Sequence, residues 1–155
     1  MFYNIEETGR FMQMILTIVG QALNAAGYNL EQDQLQQQRG LVRFQKPLEN
    51  LGEDVYGFVE WQLLAFRQSP VSRFQITLLR NQGRIARAKT LYEHQDEKTL
   101  SWVMWHVFDA KLLPNDDAWW EFQDVSQQTH AIATAGRALF GYGIPWLEMH
   151  SIELP

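Results

Sequence analysis

The chain has 155 residues, no cysteine, a formal net charge of −5, and hydrophobic and aromatic fractions of 46% and 13%. This length and apolar content predict a single domain, residues 1–155, with its own core. The lack of cysteine excludes a disulfide scaffold, a thiol nucleophile and a thiolate zinc site. The acidic charge argues against nucleic acid as a partner, because such binding uses lysine and arginine to neutralise phosphates.

An apolar stripe predicts a first helix over residues 9–26. Its members recur at three- and four-residue steps: Phe11, Ile15, Val19, Ala22 and Ala26. Gly27 follows, as is typical of a left-handed helix end. Because the stripe is broad, we expect this helix to pack on a sheet.

The start of the chain does not read as a signal peptide. Glu6 and Glu7 stand where a basic leader is expected, and Thr17 interrupts the apolar run. No stretch approaches the ~20 apolar residues of a membrane span. We therefore expect a cytoplasmic protein with no membrane partner.

Residues 31–38, "EQDQLQQQ", are polar and predict a loop or a ragged strand start. A strand is predicted over residues 39–46, with Val42 and Phe44 on one face. Pro47 should end this strand, because proline cannot donate to a sheet ladder.

The clearest predicted feature is a hairpin of residues 55–66 and 71–80, joined by the turn-like "RQSP". Closure across that turn pairs apolar residues on one face: Leu63 with Phe74, Trp61 with Ile76, and Val59 with Leu78. The other face is mixed and pairs Leu64 with Arg73, Gln62 with Gln75, and Glu60 with Thr77. A one-residue slip would separate Trp61 from Phe74, so the register is well specified.

Two segments after the hairpin are ambiguous. Residues 83–98 suggest a short strand and a loop. Residues 99–108, "TLSWVMWHVF", fit either an amphipathic helix or a strand covered on both faces. Their tryptophan and valine content favours the strand.

A second helix is predicted over residues 124–140. Asp124 can cap it, and Gln127 completes a capping-box pattern. Its predicted inner stripe comprises Val125, Thr129, Ile132, Gly136, Leu139 and Phe140. Gly141 and Gly143 are expected to end the helix, and Pro145 to prevent its return.

The sequence contains no strong catalytic or metal-binding spacing. The four histidines, His94, His106, His130 and His150, stand in no ligand motif. No GxSxG elbow or phosphate-binding loop occurs either. We therefore predict no catalytic residues, no metal and no cofactor. An acid–base group of His106 with Asp116, Asp117 or Glu121 remains an alternative, although two aspartates after "LLPN" are also ordinary turn chemistry.

The stretch "DDAWWEF", residues 116–122, carries two adjacent tryptophans. In a strand, Trp120 shares a face with Phe122, whereas Trp119 shares the opposite face with Glu121. The mixed face of the hairpin adds three more residues, giving a candidate binding surface of Tyr56, Phe58, Glu60, Trp119 and Glu121. If the second helix covers that face, which we favour, Tyr56 and Phe58 are core; otherwise they form an exposed aromatic patch.

Three segments, "VEWQLLAFRQSPVSRFQITLLR", "WHVFDAKLLPNDDAWWEF" and "GYGIPWLE", together resemble the domain-of-unknown-function 4304 family of bacterial proteins. The resemblance spans roughly residues 8–150 and is carried by apolar spacing and by Gln62, Ser69, Trp119, Trp120, Pro145 and Trp146. The chain departs from the family pattern after His106, where Phe108 and Lys111 replace a basic pattern. The resemblance implies an α+β domain with a mostly antiparallel sheet, and it brings no assigned activity.

We therefore predict an α+β domain in which an N-terminal and a C-terminal helix pack on an antiparallel sheet of four to six strands. The leading functional hypothesis is a non-catalytic interaction module, of accessory or immunity type, that binds another protein. One alternative is a small-molecule or carbohydrate binder with a tryptophan-lined pocket. The other is the acid–base enzyme described above.

Overall fold

The computed structural model describes residues 4–82 and 96–148. It contains an antiparallel sheet of six strands with helical segments at both ends of the chain. The predicted α+β fold is therefore confirmed. Most of the predicted strand and loop of residues 83–98, together with His94 and His150, lies outside the described residues.

The first helical segment consists of α1 (Ile5–Ile15), a π-turn (Leu16–Gly20) and α2 (Gln21–Ala25). It begins four residues before the predicted start because the side chain of Asn4 accepts a hydrogen bond from the Glu7 N–H at 3.2 Å. Gly27, with φ of 96°, takes the predicted left-handed conformation after its end.

The six strands are β1 (Asn29–Leu30), β2 (Leu41–Pro47), β3 (Val55–Leu64), β4 (Ser72–Gln82), β5 (Asp96–Thr99) and β6 (Trp120–Phe122). They pair in the order β1 to β5, and β6 also pairs with β4. Two short strands thus share one edge of β4: β6 lies beside Ser72 to Phe74, and β5 beside Thr77 to Arg80. A 3-10 turn, Glu49–Leu51, connects β2 and β3.

The predicted hairpin is confirmed residue by residue. The strands β3 and β4 pair Leu63 with Phe74, Trp61 with Ile76, and the other four predicted pairs in the same register. The hydrophobic alternation excludes odd slips, because they would move every apolar side chain to the opposite face, and the closure across residues 67–70 selects this register among the even ones.

The glutamine-rich segment was wrongly predicted as a loop or strand start. Its centre is a short helix, α3 (Gln34–Gln38), capped by Asp33, whose side chain accepts from the Gln36 N–H at 3.1 Å. Five residues are too few to show a helical period in the sequence, whereas the aspartate cap was a visible signal.

The strand favoured over residues 99–108 is also wrong. This segment forms α4 (Leu100–His106), capped by Thr99, whose hydroxyl accepts from the Trp102 N–H at 3.2 Å. Its buried residues, Leu100, Ser101, Val103 and Met104, follow a helical period. The cap and that period outweighed the strand preference of tryptophan and valine, which depends strongly on context.

The second long helix, α5 (Val125–Ala138), begins as predicted. Asp124 accepts from the Gln127 N–H at 2.8 Å, and the Gln127 side chain accepts from the Gln123 N–H at 2.8 Å. Its inner stripe is rotated from the prediction: Val125 and Thr129 are exposed, and the buried residues are Gln128, Ala131, Ile132, Ala135 and Gly136. The small residues determine this rotation, since they allow α5 to approach the first helical segment closely.

The predicted stop at Gly141 and Gly143 is wrong. A second π-turn, Leu139–Gly143, leads directly into α6 (Ile144–Glu148). Pro145 thus lies inside a continuous helical run, directly after the π-turn. The end of α6 docks through a hydrogen bond of 2.7 Å from the Tyr28 hydroxyl to Glu148.

Both terminal helical segments pack on one face of the sheet, here called the inner face. The Phe11 ring of α1 lies 5.4 Å from Phe74 of β4, and Gly143 and Leu147 lie against β4 and β3 respectively. The opposite face, here called the outer face, carries the mixed residues of the hairpin. The second helix therefore does not cover Tyr56 and Phe58, contrary to the arrangement that the sequence favoured.

Candidate interaction surface

The five predicted binding residues all belong to the outer face, but in two groups. Tyr56, Phe58 and Glu60 lie along β3, whereas Trp119 and Glu121 lie at β6. Glu121 pairs with Arg73 of β4, and Arg73 in turn pairs with Leu64 of β3. Leu64 lies four residues from Glu60 and eight residues from Tyr56 along β3. At about 3.3 Å per residue, the first group lies between about 13 Å (Glu60) and about 26 Å (Tyr56) from Leu64 along β3, so the two groups are separated along the sheet.

The first group is part of the fold. Phe58 is 0% exposed and Tyr56 is half-buried, so this group does not form an open aromatic patch. The Glu60 carboxylate accepts a hydrogen bond from Arg43 Nε at 2.7 Å. Arg43 also lies 3.5 Å from Glu31 and 5.7 Å from the Phe58 ring centre. The charge of Glu60 is thus balanced within the sheet.

Burial raises the pKa of Glu60 and of Glu31 above the ordinary glutamate value of 4.5. Arg43 opposes this rise at both carboxylates, while Glu97 adds to it at Glu60. Because the folded-state pKa values are raised, protonation favours the folded state. This contribution to stability is complete below the unfolded pKa values and is lost as pH rises through the folded ones.

We expect Glu60→Gln to become more stable relative to the unmodified protein as pH rises from 4.5 towards neutrality. The glutamine cannot ionise, so the loss of stability caused by ionising residue 60 disappears. Urea unfolding at several pH values measures the difference. Glu53→Gln, at an exposed position, is the control and should show a smaller trend. If the stability of Glu60→Gln relative to the unmodified protein instead falls as pH rises, the raised pKa of Glu60 is contradicted.

The second group is organised around Trp119, which lies one residue before β6. The Arg73 guanidinium lies 4.8 Å from the centre of the Trp119 ring. Arg73 and Glu121 are exposed, while Trp119 is half-buried. The side chain of Glu121 makes no hydrogen bond or ion pair with any residue that the structure describes. We call Arg73, Trp119 and Glu121 the Trp119 patch.

The two adjacent tryptophans have different environments, as strand alternation predicts. Trp120 is 8% exposed and stacks on Phe74 of the core, with ring centres 5.5 Å apart and an interplanar angle of 14°. Trp119 points to the outer face under Arg73. Sequence reasoning missed Arg73 as its neighbour, because the pairing of β6 with β4 joins residues far apart in the chain.

The carboxylates of the acid–base alternative make separate contacts. Asp116 lies 2.8 Å from His106 Nε2, and both side chains are 47% exposed. Asp117 instead accepts a hydrogen bond from Gln75 Nε2 at 2.8 Å, and Glu121 is exposed at β6. The His106–Asp116 contact is therefore a solvent-exposed surface contact at the C-terminal end of α4.

Three cavities among the described residues bear on the alternative of a tryptophan-lined pocket. One lies between α1 and α3, one between the first π-turn and α5, and one at the β3–β4 turn. No described tryptophan lines any of the three, so they lend that alternative no support.

Within residues 4–82 and 96–148, no group of three histidine, aspartate or glutamate side chains is placed to hold a metal ion. None of the helices in that part of the chain combines the length and hydropathy needed to cross a membrane.

The resemblance to the domain-of-unknown-function 4304 family stays a prediction. Comparison of the chain with protein-family models, curated proteins and solved structures finds no match.

Proposed function

We propose that the chain is a non-catalytic protein-binding module, of accessory or immunity type, and that its partner docks on the Trp119 patch. The observation that supports this is a half-buried tryptophan on the outer face, with an exposed arginine over its ring and an exposed glutamate beside it. Both terminal helical segments pack on the other face, so the patch lies apart from the core that they cover.

The residue types suit a binding hot spot. Tryptophan and arginine are the side chains most enriched among residues whose truncation strongly weakens protein–protein binding. The Arg73 contact holds the Trp119 ring in place before binding, which reduces the conformational entropy lost on association. Arg73 on β4 and Glu121 on the neighbouring β6 carry opposite charges. A partner that presents an acidic group to Arg73 and a basic group to Glu121 would be oriented by them.

Trp119→Ala tests the proposal. The immobilised protein is exposed to a lysate of the organism that encodes it, and proteins retained specifically are identified and then bound in purified form. We expect Trp119→Ala to weaken binding of the purified partner by at least about tenfold, because hot-spot truncations exceed 1.4 kcal/mol.

Trp102→Ala is the matched control. Trp102 is also a half-buried tryptophan with a cation over its ring, Lys98 Nζ at 4.3 Å, but it belongs to α4. Thermal unfolding first establishes that both variants are folded. The Trp102→Ala variant should then bind the partner as the unmodified protein does. Equal binding by the protein and Trp119→Ala, or no retained protein at all, would contradict the proposal.

A further inference from the structure

An apolar groove with a volume of about 420 Å³ lies between the first helical segment and the helix α5 with the π-turn that follows it. Its walls are formed by aliphatic and aromatic side chains and one glycine: Ile18, Val19, Ala22, Ala133, Gly136 and Phe140. Among the described residues that line it, only Arg137 is charged. The volume lies within the range of about 300–1,000 Å³ that is typical of small-molecule sites.

The two π-turns of the described chain both border this groove. Ile18 and Val19 belong to the first π-turn, on one wall, and Phe140 belongs to the second, on the other wall. Turns of this kind account for well under 1% of residues in proteins and are found frequently at functional sites. Their meeting at one groove marks it as a candidate site.

Small residues give the groove its depth. Val19 and Gly136 are buried and touch at its floor, where a Cβ added to Gly136 would lie only 2.6 Å from Cγ1 of Val19. Ala22 is exposed and Ala133 is half-buried, so the walls above this contact carry methyl groups at these two positions. The helices are therefore in close contact at the floor, while space remains between them above it.

Arg137 provides a positive charge that no carboxylate balances. Its guanidinium donates a hydrogen bond to the Thr134 hydroxyl at 3.3 Å and forms no ion pair with any residue that the structure describes. Arg10 and Arg43, by contrast, each contact a glutamate. A guanidinium presents its donors in a planar fork that matches a carboxylate. The groove thus combines apolar walls with one anion-binding group at its rim.

We propose that this groove binds a free medium-chain alkyl carboxylate, with the alkyl chain along the apolar walls and the carboxylate on Arg137. The walls favour a hydrocarbon chain, because contact with them removes the chain from water. The single cation favours a head group with one negative charge and disfavours an ammonium group. At about 30 Å³ for each water-sized unit, the volume accommodates about ten carbons together with the carboxylate. The site is independent of the Trp119 patch, because neither Trp119 nor Arg73 lines it.

Calorimetric titration of the full chain with butanoate, octanoate, octan-1-ol and octylammonium tests the chemistry of the ligand. We expect octanoate to bind at least about tenfold more tightly than butanoate, because each methylene removed from water tightens binding by up to about fourfold. Octan-1-ol should bind about fivefold more weakly than octanoate, the size expected for an exposed ion pair, and octylammonium more weakly still. Vesicles of anionic phospholipid offer an alkyl chain and an anion from a membrane surface, and they should not retain the protein.

Two pairs of variants connect binding to the groove. Arg137→Gln should weaken octanoate about fivefold and leave octan-1-ol unchanged, whereas Arg67→Gln, at an exposed arginine in the β3–β4 turn, should change neither. Ala22→Phe fills the groove from an exposed position and should weaken both ligands at least about tenfold. Ala25→Phe adds the same bulk at an exposed position of α2 outside the groove and should weaken neither. Thermal unfolding verifies that all four variants are folded.

Three outcomes would overturn the proposal. The first is that octanoate does not bind, or that the protein binds only the vesicles. The second is that Arg137→Gln binds octanoate as tightly as Arg67→Gln does. The third is that Ala22→Phe binds octanoate as tightly as Ala25→Phe does.

Discussion

Replacing Phe74 with alanine is expected to destabilise the protein by about 3–5 kcal/mol, the largest effect of any substitution considered. Phe74 is 0% exposed and lies at the centre of an aromatic cluster. Its ring centre is 5.4 Å from Phe11, 5.8 Å from Trp61, 5.5 Å from Trp120 and 6.4 Å from Phe122. Alanine removes all four contacts and leaves a cavity between α1, β3 and β6 that rigid neighbouring rings cannot fill.

Urea unfolding at constant pH measures this change. Since typical domains are stable by only about 5–15 kcal/mol, this change removes a large fraction of the total stability. Leu112→Ala is the control: Leu112 is 72% exposed, and its truncation should change stability by less than about 0.5 kcal/mol. An effect of Phe74→Ala as small as that of the control would mean that the ring is not a central part of the core.

Gly40→Ala is expected to destabilise the protein by about 2–4 kcal/mol, for two reasons that add. Gly40 has φ of 83°, a left-handed conformation that costs alanine about 1–2 kcal/mol. An added Cβ would also lie 2.8 Å from the backbone oxygen of Leu63. The Leu63 N–H donates to the Gly40 carbonyl at 2.8 Å, so relief of this clash would disturb the contact between the start of β2 and the end of β3.

Gly27→Ala separates the two causes. Gly27 also has a positive φ, 96°, but an added Cβ would lie 3.0 Å from Cε of Lys46, at the far end of a flexible side chain. We expect only the conformational cost of about 1–2 kcal/mol there. Equal losses of unfolding free energy for the two variants would show that the approach to the Leu63 backbone contributes nothing.

The local features of the fold were largely predictable. The pairing of Trp61 with Ile76 follows from the alternation together with closure across the short turn, because alternation fixes the faces and the turn fixes the register. The Asp124 cap was likewise visible, since capping depends on residues three positions apart. The errors fall where two local preferences compete, as in residues 99–108, or where an element is too short to show a period, as in α3.

The candidate sites were less predictable, since they combine residues from distant parts of the chain. The sequence placed Trp119 and Glu121 on one face, but Arg73 reaches Trp119 only through the pairing of β6 with β4. The predicted inner stripe of α5 omitted Gln128, which the structure buries.

By itself, the sequence determined the α+β class, the hairpin register and the division between Trp119 and Trp120. These features depend on backbone periods and on interactions between residues near in sequence or joined by a tight turn. Only the tertiary structure decided which face of the sheet the helices cover and that Phe58 and Gln128 are buried. The physical reason is that the burial of a side chain depends on which elements pack against its face of the sheet. That packing joins residues far apart in the chain.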